Sequence, residues 1–196
     1  MSKEQQNSEE LSAHKLSLFP RTHGLKNGQT MHIRLVEERD AALCIAYLNR
    51  VSSETDFLSF GAGEFDTSIE EERALIRKFR QTENSLFLVA EVENEIVSML
   101  SFSCGRRPRQ RHAGELGISV RQEFWGTGVG RCLMEILIEW ARKNSSIRKL
   151  NLLVRADNNR AIALYRKLGF LEEGRITRET QIDGKFYDTL FMGLQI

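Results

Sequence analysis

The chain has 196 residues, a formal net charge of +1, a hydrophobic fraction of 41% and a charged fraction of 28%. That composition fits a folded domain with a real core, and the balanced charge gives no basic footprint for nucleic acid. No apolar run reaches the roughly 20 residues a membrane-spanning helix needs, and Met1 to Glu10 lacks the basic-then-apolar layout of a secretory leader.

Residues 1–30 are polar, weakly periodic and punctuated by Pro20, Gly24 and Gly28, so they are expected to form an N-terminal extension. A single domain is expected over residues 31–196. Met31 to Leu35 alternates like a short strand. Glu37 to Val51 reads as a helix, because Ala41, Cys44, Ile45 and Leu48 fall at i, i+3, i+4 and i+7. A loop with Gly61 and Gly63 follows. The next helix is expected from about Ser68 to Gln81, with Leu75, Ile76 and Phe79 inward. Leu86 to Val92 and Ile96 to Phe102 are rich in strand formers, and Glu93-Asn94-Glu95 between them suits a tight hairpin.

Arg106, Arg107, Arg109 and Arg111 crowd a turn, which reads as a solvated hairpin tip. Glu115 to Val120 alternates again, with Leu116, Ile118 and Val120 on one face and Glu115 and Ser119 on the other. A helix then runs to about Asn144, its buried stripe being Val129, Leu133, Ile136, Leu137 and Trp140. Lys149 to Val154 is a strand. Asn158 to Leu168 is a short helix ended by Gly169, a fit for a C-terminal glycine cap. Phe170 to Ile182 and Phe186 to Leu194 flank an Asp183-Gly184 turn and read as a hairpin. The order β-α-α-β-β-β-α-β-α-β-β predicts an α/β or α+β fold with a mostly antiparallel sheet.

Cys44, Cys104 and Cys132 are widely spaced and contain no C-x-x-C pair. They read as reduced core thiols, in keeping with a cytoplasmic location. His14, His23, His32 and His112 have no metal-ligand spacing, so no metal is expected.

The segment Phe124-Trp-Gly-Thr-Gly-Val-Gly-Arg131 places glycines at every second position just before a helix. Small residues there let backbone N–H groups at a helix N-terminus point at one anion. A dinucleotide fingerprint fails because Arg131 stands where its last glycine belongs. A P-loop fails because Arg131-Cys132 replaces Gly-Lys. A second segment, Asn158-Asn-Arg-Ala161-Ile-Ala-Leu-Tyr165-Arg-Lys-Leu-Gly169-Phe170, carries the pattern N-x-x-A-x-x-x-Y-x-x-x-G-F.

Together the two segments resemble the GNAT superfamily of acetyl-CoA-dependent N-acetyltransferases. Positions 125–130 are similar to its pyrophosphate motif [QR]-x-x-G-x-[GA], with Trp125 in place of Gln or Arg. The resemblance implies a mixed, mostly antiparallel central sheet, splayed in the middle and flanked by about four helices. It implies acetyl-CoA as co-substrate and no metal. The pantetheine arm is then expected beside the backbone of Ile118, Ser119 and Val120. The pyrophosphate is expected on Gly126, Thr127, Gly128, Val129, Gly130 and Arg131, and Asn158 near the cofactor. Asn158 equally suits a helix N-cap, and Arg131 equally suits a solvated first turn.

By the same resemblance Tyr165 is the general acid, with a core tyrosine on an apolar helix face as the plain alternative. A phenol of ordinary pKa about 10 can supply a proton to a departing thiolate near neutral pH. Some relatives that acetylate protein N-termini carry a base at the position of Leu153, which cannot serve. Glu115 on the preceding strand is the substitute base, directly or through a water, with a surface carboxylate as the plain alternative. Glu54 and Asp56, in the expected loop after the first helix, lie where the family often builds its acceptor site, and equally suit a solvated loop. No cysteine sits in either motif as a covalent carrier, which favours direct transfer to a primary amine of a small molecule or peptide. A non-catalytic acyl-CoA sensor on the same fold is the alternative. Sheet edges and the final hairpin are compatible with a homodimer.

Overall fold

The structure, a computed structural model, describes residues 18–196. Its strands are β1 (Arg21–Gly24), β2 (Thr30–Leu35), β3 (Ser85–Val92), β4 (Glu95–Cys104), β5 (Ala113–Val120), β6 (Lys149–Arg155), β7 (Leu171–Ile182) and β8 (Lys185–Gln195). The helices are α1 (Ala41–Glu54), α2 (Ile69–Gln81), α3 (Val129–Lys143) and α4 (Asn159–Lys167). No helix among the described residues is long and apolar enough to cross a membrane.

The strands form one sheet in the order β1-β2-β3-β4-β5-β6-β8-β7. Every neighbouring pair is antiparallel except β5–β6. The architecture is therefore the mixed, mostly antiparallel sheet with four helices that the pattern predicts.

The N-terminal boundary differs from expectation. Residues 1–17 of the expected extension lie outside the described residues. The segment from Arg21 belongs to the sheet, with Arg21 opposite Ile33 and Gly24 opposite Thr30. Its sequence, Arg-Thr-His-Gly, has no apolar alternation to announce a strand. It is fixed instead from outside, by Arg21 Nη1 donating to Glu139 Oε2 of α3 at 2.7 Å and by buried Leu25 just beyond it.

Helices cover the two sheet faces unequally. On one face α3 and α4 pack over alternate residues of the sheet: Leu86, Leu88, Leu100, Phe102, Leu116, Leu150, Leu152, Val154, Leu190 and Met192 share one apolar core with Val129, Leu133, Leu137, Trp140, Ile162 and Tyr165. The buried stripe expected for α3 is the one found. On the other face α1 and α2 cover Phe87, Val89 and Met99 of β3 and β4 with Cys44, Tyr47, Val51 and Ile76. In α2 the inner face differs from expectation. Ile76 and Phe79 pack inward, whereas Leu75 is exposed and Glu72 is buried in its place. Positions 72, 76 and 79 lie on one helical face at i, i+4 and i+7, and Leu75 falls off it.

Local chemistry fixes the element ends. Ser68 caps α2 in a capping box, its hydroxyl accepting from Glu71 N–H at 3.2 Å while Glu71 reaches back to Ser68 N–H at 2.9 Å. Glu93 and Asn94 turn β3 into β4 with φ of 52° and 65°, the two left-handed residues that a primed hairpin turn requires. Asp183 and Gly184 do the same for β7 and β8, with φ of 48° and 78°.

Candidate active site

The parallel β5–β6 ladder is short. Ala113, Gly114 and Glu115 face Lys149, Leu150 and Asn151, and pairing ends there. β5 continues to Val120 against β4, and β6 to Arg155 against β8, so a V-shaped gap opens between them.

The backbone lining this gap follows from alternation along β5. Ser119 C=O accepts from Ser98 Oγ at 2.6 Å, and Arg121 N–H donates to Val97 C=O at 3.0 Å, so these residues face β4. Neighbours along a strand point their backbone groups to opposite sides. Ile118 and Val120 therefore turn theirs toward β6, into the gap. The Ser119 side chain belongs to the α1 face, where its hydroxyl lies 2.9 Å from that of buried Tyr47.

The glycine loop stands at the wide end of the gap. Gly126 and Gly128 have φ of 81° and 111°, a region favouring glycine, and Gly128 is the N-cap of α3. The first bond of the helix is Cys132 N–H to Gly128 C=O. The N–H groups of Val129, Gly130 and Arg131 thus precede the ladder, as the first donors of any helix do. Gly130 packs α3 closely, since a Cβ there would lie 3.5 Å from Val120 Cγ2 and 3.8 Å from Leu164 Cδ2. Thr127 is engaged internally: its hydroxyl donates to Phe124 C=O at 2.7 Å and its C=O accepts from Lys26 N–H at 3.0 Å. Arg131 is exposed and pairs with Glu135 one turn on, Nε to Oε1 2.8 Å.

Trp125 supplies a contact that the sequence did not disclose. Its indole N–H donates to Val120 C=O at 2.8 Å, tying the loop to the end of β5. That leaves the Val120 N–H, but not its carbonyl, open to the gap. The Arg160 guanidinium of α4 stacks over the same indole, 4.5 Å from the ring centroid.

Behind the loop a buried arginine meets three carboxylates that an exposed arginine, Arg50, also pairs. Arg121, only 4% exposed, pairs with Glu54 of α1, Glu95 of the β3–β4 hairpin and Glu123. Glu54 Oε2 also accepts from Gln122 N–H at 2.7 Å. Glu54 therefore holds the β5–α3 connection, and its carboxylate is not presented to an acceptor. Glu54 lies in the last turn of α1, past the helix end expected at Val51, and is held both by Arg50 one turn back and by Arg121, 67 residues away.

Asn158 caps α4, its Oδ1 accepting from Ala161 N–H at 3.2 Å, and Gly169 ends the helix region with φ of 94°. Tyr165 lies in the core under the α4 face, 7% exposed, its ring centroid 6.0 Å from that of Phe170. Burial pushes its phenol up to about 12. Glu115 projects from the opposite sheet face and is exposed. The two residues thus lie on opposite faces of the sheet. Arg106, Arg107, Arg109 and Arg111 lie exposed in the β4–β5 turn, as a solvated tip does.

The three thiols are poor nucleophiles. Burial pushes Cys44 to about 12, Cys104 to about 11 and Cys132 upward, and a thiol so shifted is not the thiolate that attacks.

Known proteins share this fold. The model of the acetyltransferase (GNAT) family matches residues 53–170, more than half of the chain. The L-amino acid N-acetyltransferase AaaT of Escherichia coli is 31% identical over 105 residues, which cover 54% of this chain and 65% of that relative. A GNAT-family acetyltransferase from Streptococcus pneumoniae superposes with a TM-score of 0.81 at 37% identity, covering 85% of this chain and 99% of that one. YncA of Salmonella typhimurium, solved with its cofactor acetyl-CoA, superposes with a TM-score of 0.73 at 23% identity, covering 84% of this chain and 93% of that one. At that identity the likeness is one of fold.

Proposed function

The chain belongs to the acetyltransferase (GNAT) family and is an acyltransferase, and from that premise we propose that it moves the acetyl group of acetyl-CoA directly onto a primary amine. The carrying observation is the juxtaposition of the glycine loop with the gap that opens beyond Glu115 and Asn151. The loop offers amides and a helix N-terminus to a pyrophosphate. The gap offers unpaired strand backbone to an extended arm with amide groups of its own. Acetyl-CoA has both parts in that order.

In this reading Gly126, Gly128, Val129, Gly130 and Arg131 hold the pyrophosphate through their N–H groups. Ile118 and the N–H of Val120 hold the pantetheine arm, and one of these N–H groups polarises the thioester carbonyl. Asn158, already the cap of α4, keeps that helix beside the arm. The amine approaches from the face of Glu115. Its lone pair forms the C–N bond to the thioester carbon, and the carbonyl oxygen takes the negative charge. The C–S bond then breaks as the carbonyl re-forms. Glu115, directly or through a water, removes the proton from the new ammonium centre, and Tyr165 gives its proton to the leaving sulfur. The products are the N-acetyl amine and coenzyme A. The shifted thiols favour this single displacement over an acetyl-cysteine intermediate.

Calorimetry with acetyl-CoA, followed by thiol release with a panel of amines, tests the assignment. Saturable one-to-one binding and amine-dependent thiol release are expected. Binding without release for every class of primary amine would favour a sensor and overturn the proposal.

A further inference from the structure

The helical layer that covers β3 and β4 on the Glu115 face ends at β5, where Tyr47 meets Ser119. Beyond it the sheet presents Glu115, Asn151, Leu153, Arg155 and Phe191. These alternate with Leu116, Leu152, Val154, Leu190 and Met192 of the opposite core. Leu153 is 43% exposed and Phe57, on the loop after α1, is 38% exposed. Both border one residue, Arg155. Leu153 precedes it by two positions on the same strand face, and Phe57 stacks on its guanidinium at 4.5 Å.

Arg155 is a clamp. Its side chain is 9% exposed and pairs with Asp157, Nε to Oδ1 2.7 Å and Nη2 to Oδ2 3.0 Å. It also donates to the Asp56 carbonyl at 2.7 Å and lies 4.1 Å from the Tyr187 ring centroid. The loop after α1 is thereby fixed to Arg155, which lies on the strand face that also carries Leu153.

Three of the carboxylates around this floor are matched. Glu54 is held by Arg121, Asp157 by Arg155 and Glu173 by Lys149. Glu115 has no ion pair among the described residues, and it stands beside the point where the gap opens. Asp56 is fixed through its carbonyl, and its side chain is exposed.

Resting on the acetyltransferase reading, we infer that the acceptor is a primary amine carried on an apolar body, with the amine as its only cation. Leu153 and the open side of Phe57 receive the body, Glu115 faces the nitrogen, and Arg155 is the positioning residue that builds the wall. A second ammonium on the acceptor would meet the apolar faces of Leu153 and Phe57, with Asp56 the exposed carboxylate next to Phe57 in sequence, and a charge left unpaired against apolar surface is strongly disfavoured. Acceptors that differ in this way are distinguished by one or more orders of magnitude at a site built for one of them.

The test measures kcat/KM of the full chain with saturating acetyl-CoA for phenethylamine, isoamylamine, putrescine and spermidine. The apolar amines are expected to exceed the polyamines by about tenfold or more. Leu153→Glu is expected to invert that order. Arg155→Met is expected to raise the acceptor KM several-fold while leaving the calorimetric Kd for acetyl-CoA unchanged, a split that general misfolding would not give. Asp56→Asn is expected to leave the preference as it is. A preference for putrescine or spermidine in the unaltered chain overturns the inference. So does an order that Leu153→Glu does not change, or a chain that binds acetyl-CoA but neither acetylates nor is inhibited by the apolar amines. Absence of acetyl-CoA binding would instead sink the acetyltransferase reading beneath it.

Discussion

Glu115 and Asn151 are the last residues to face each other across the parallel β5–β6 ladder. Up to that pair the two strands are joined, and past it each keeps only its outer neighbour, β4 or β8. A sheet interior rarely leaves backbone unpaired. Here the unpaired edges lead to a helix N-terminus capped by a left-handed glycine, so the same opening offers strand-like pairing at one end and an anion site at the other.

Two glycines of the loop are expected to respond oppositely to alanine. Gly128 has a φ of 111°, and a Cβ in a left-handed conformation costs about 1–2 kcal/mol. Gly128→Ala is expected to weaken acetyl-CoA binding about tenfold. Gly130 has an ordinary backbone, and its added Cβ would meet Val120 and Leu164 at van der Waals distance. Gly130→Ala is expected to bind within about twofold of the parent. Calorimetry on both variants checks the contrast, and equal effects would count against the backbone cradle.

Tyr165→Phe keeps the ring against Phe170 and removes only the hydroxyl. Loss of a general acid lowers turnover by about 10²-fold or more, so kcat is expected to fall by that order with Tm and acetyl-CoA affinity little changed. The phenol titrates at about 12 in the folded chain against about 10 unfolded. The folded state thus holds this proton more tightly. Its contribution to stability is complete below pH 10 and is lost as pH rises from about 10 through about 12. Turnover should accordingly show no alkaline fall from Tyr165 below about pH 10. An alkaline limb near pH 8 that vanishes in Tyr165→Phe would contradict this.

Much of this site could be read from residue spacing. Asn158 four residues before Ile162, and Gly169 at the far end, announce α4 because capping chemistry is local. The α3 stripe was legible because five large apolar residues recur on one helical face. Contacts between distant segments were not. Trp125 in the motif looked like a lost polar contact, yet its N–H reaches Val120 C=O. An indole is both a large apolar body and a donor, and sequence alone does not say which acceptor it finds. Glu54 looked available to an amine until Arg121 was seen to hold it. β1 escaped notice because a polar edge strand is specified by its partner and by Arg21–Glu139, not by its own alternation.

The Arg121 network makes a prediction about Glu54. Hydrogen bonds to charged groups are worth about 1.5–3 kcal/mol. Arg121→Ala, which removes the buried cation and leaves Glu54, Glu95 and Glu123 to Arg50 alone, should lower stability by that order in urea unfolding. Glu54→Gln should lower stability less and weaken acetyl-CoA binding, because Gln122 N–H loses a charged acceptor at the start of the loop. Its acceptor KM should stay close to the parent's. A Glu54→Gln variant impaired only in acceptor KM would restore Glu54 to the acceptor site.

Trp125 and Arg160 should be coupled energetically. Cation–π contacts at partly exposed sites are worth about 0.5–1 kcal/mol, and the guanidinium lies 4.5 Å from the ring centroid. A double-mutant cycle of Trp125→Phe and Arg160→Ala is expected to give a coupling of that order. Trp125→Phe alone should cost about 1 kcal/mol or more, because Val120 C=O loses its donor. Strict additivity would remove the stacked pair from the description of the loop.

The central claim is that the gap beyond Glu115–Asn151 and the glycine loop form one site for acetyl-CoA. Calorimetric titration of acetyl-CoA into the unaltered chain and into Gly128→Ala tests it most directly. One-to-one saturable binding, weakened about tenfold by the substitution through the strain of a left-handed alanine, is the predicted result. No binding heat at several temperatures, or an affinity untouched by Gly128→Ala, would contradict the claim.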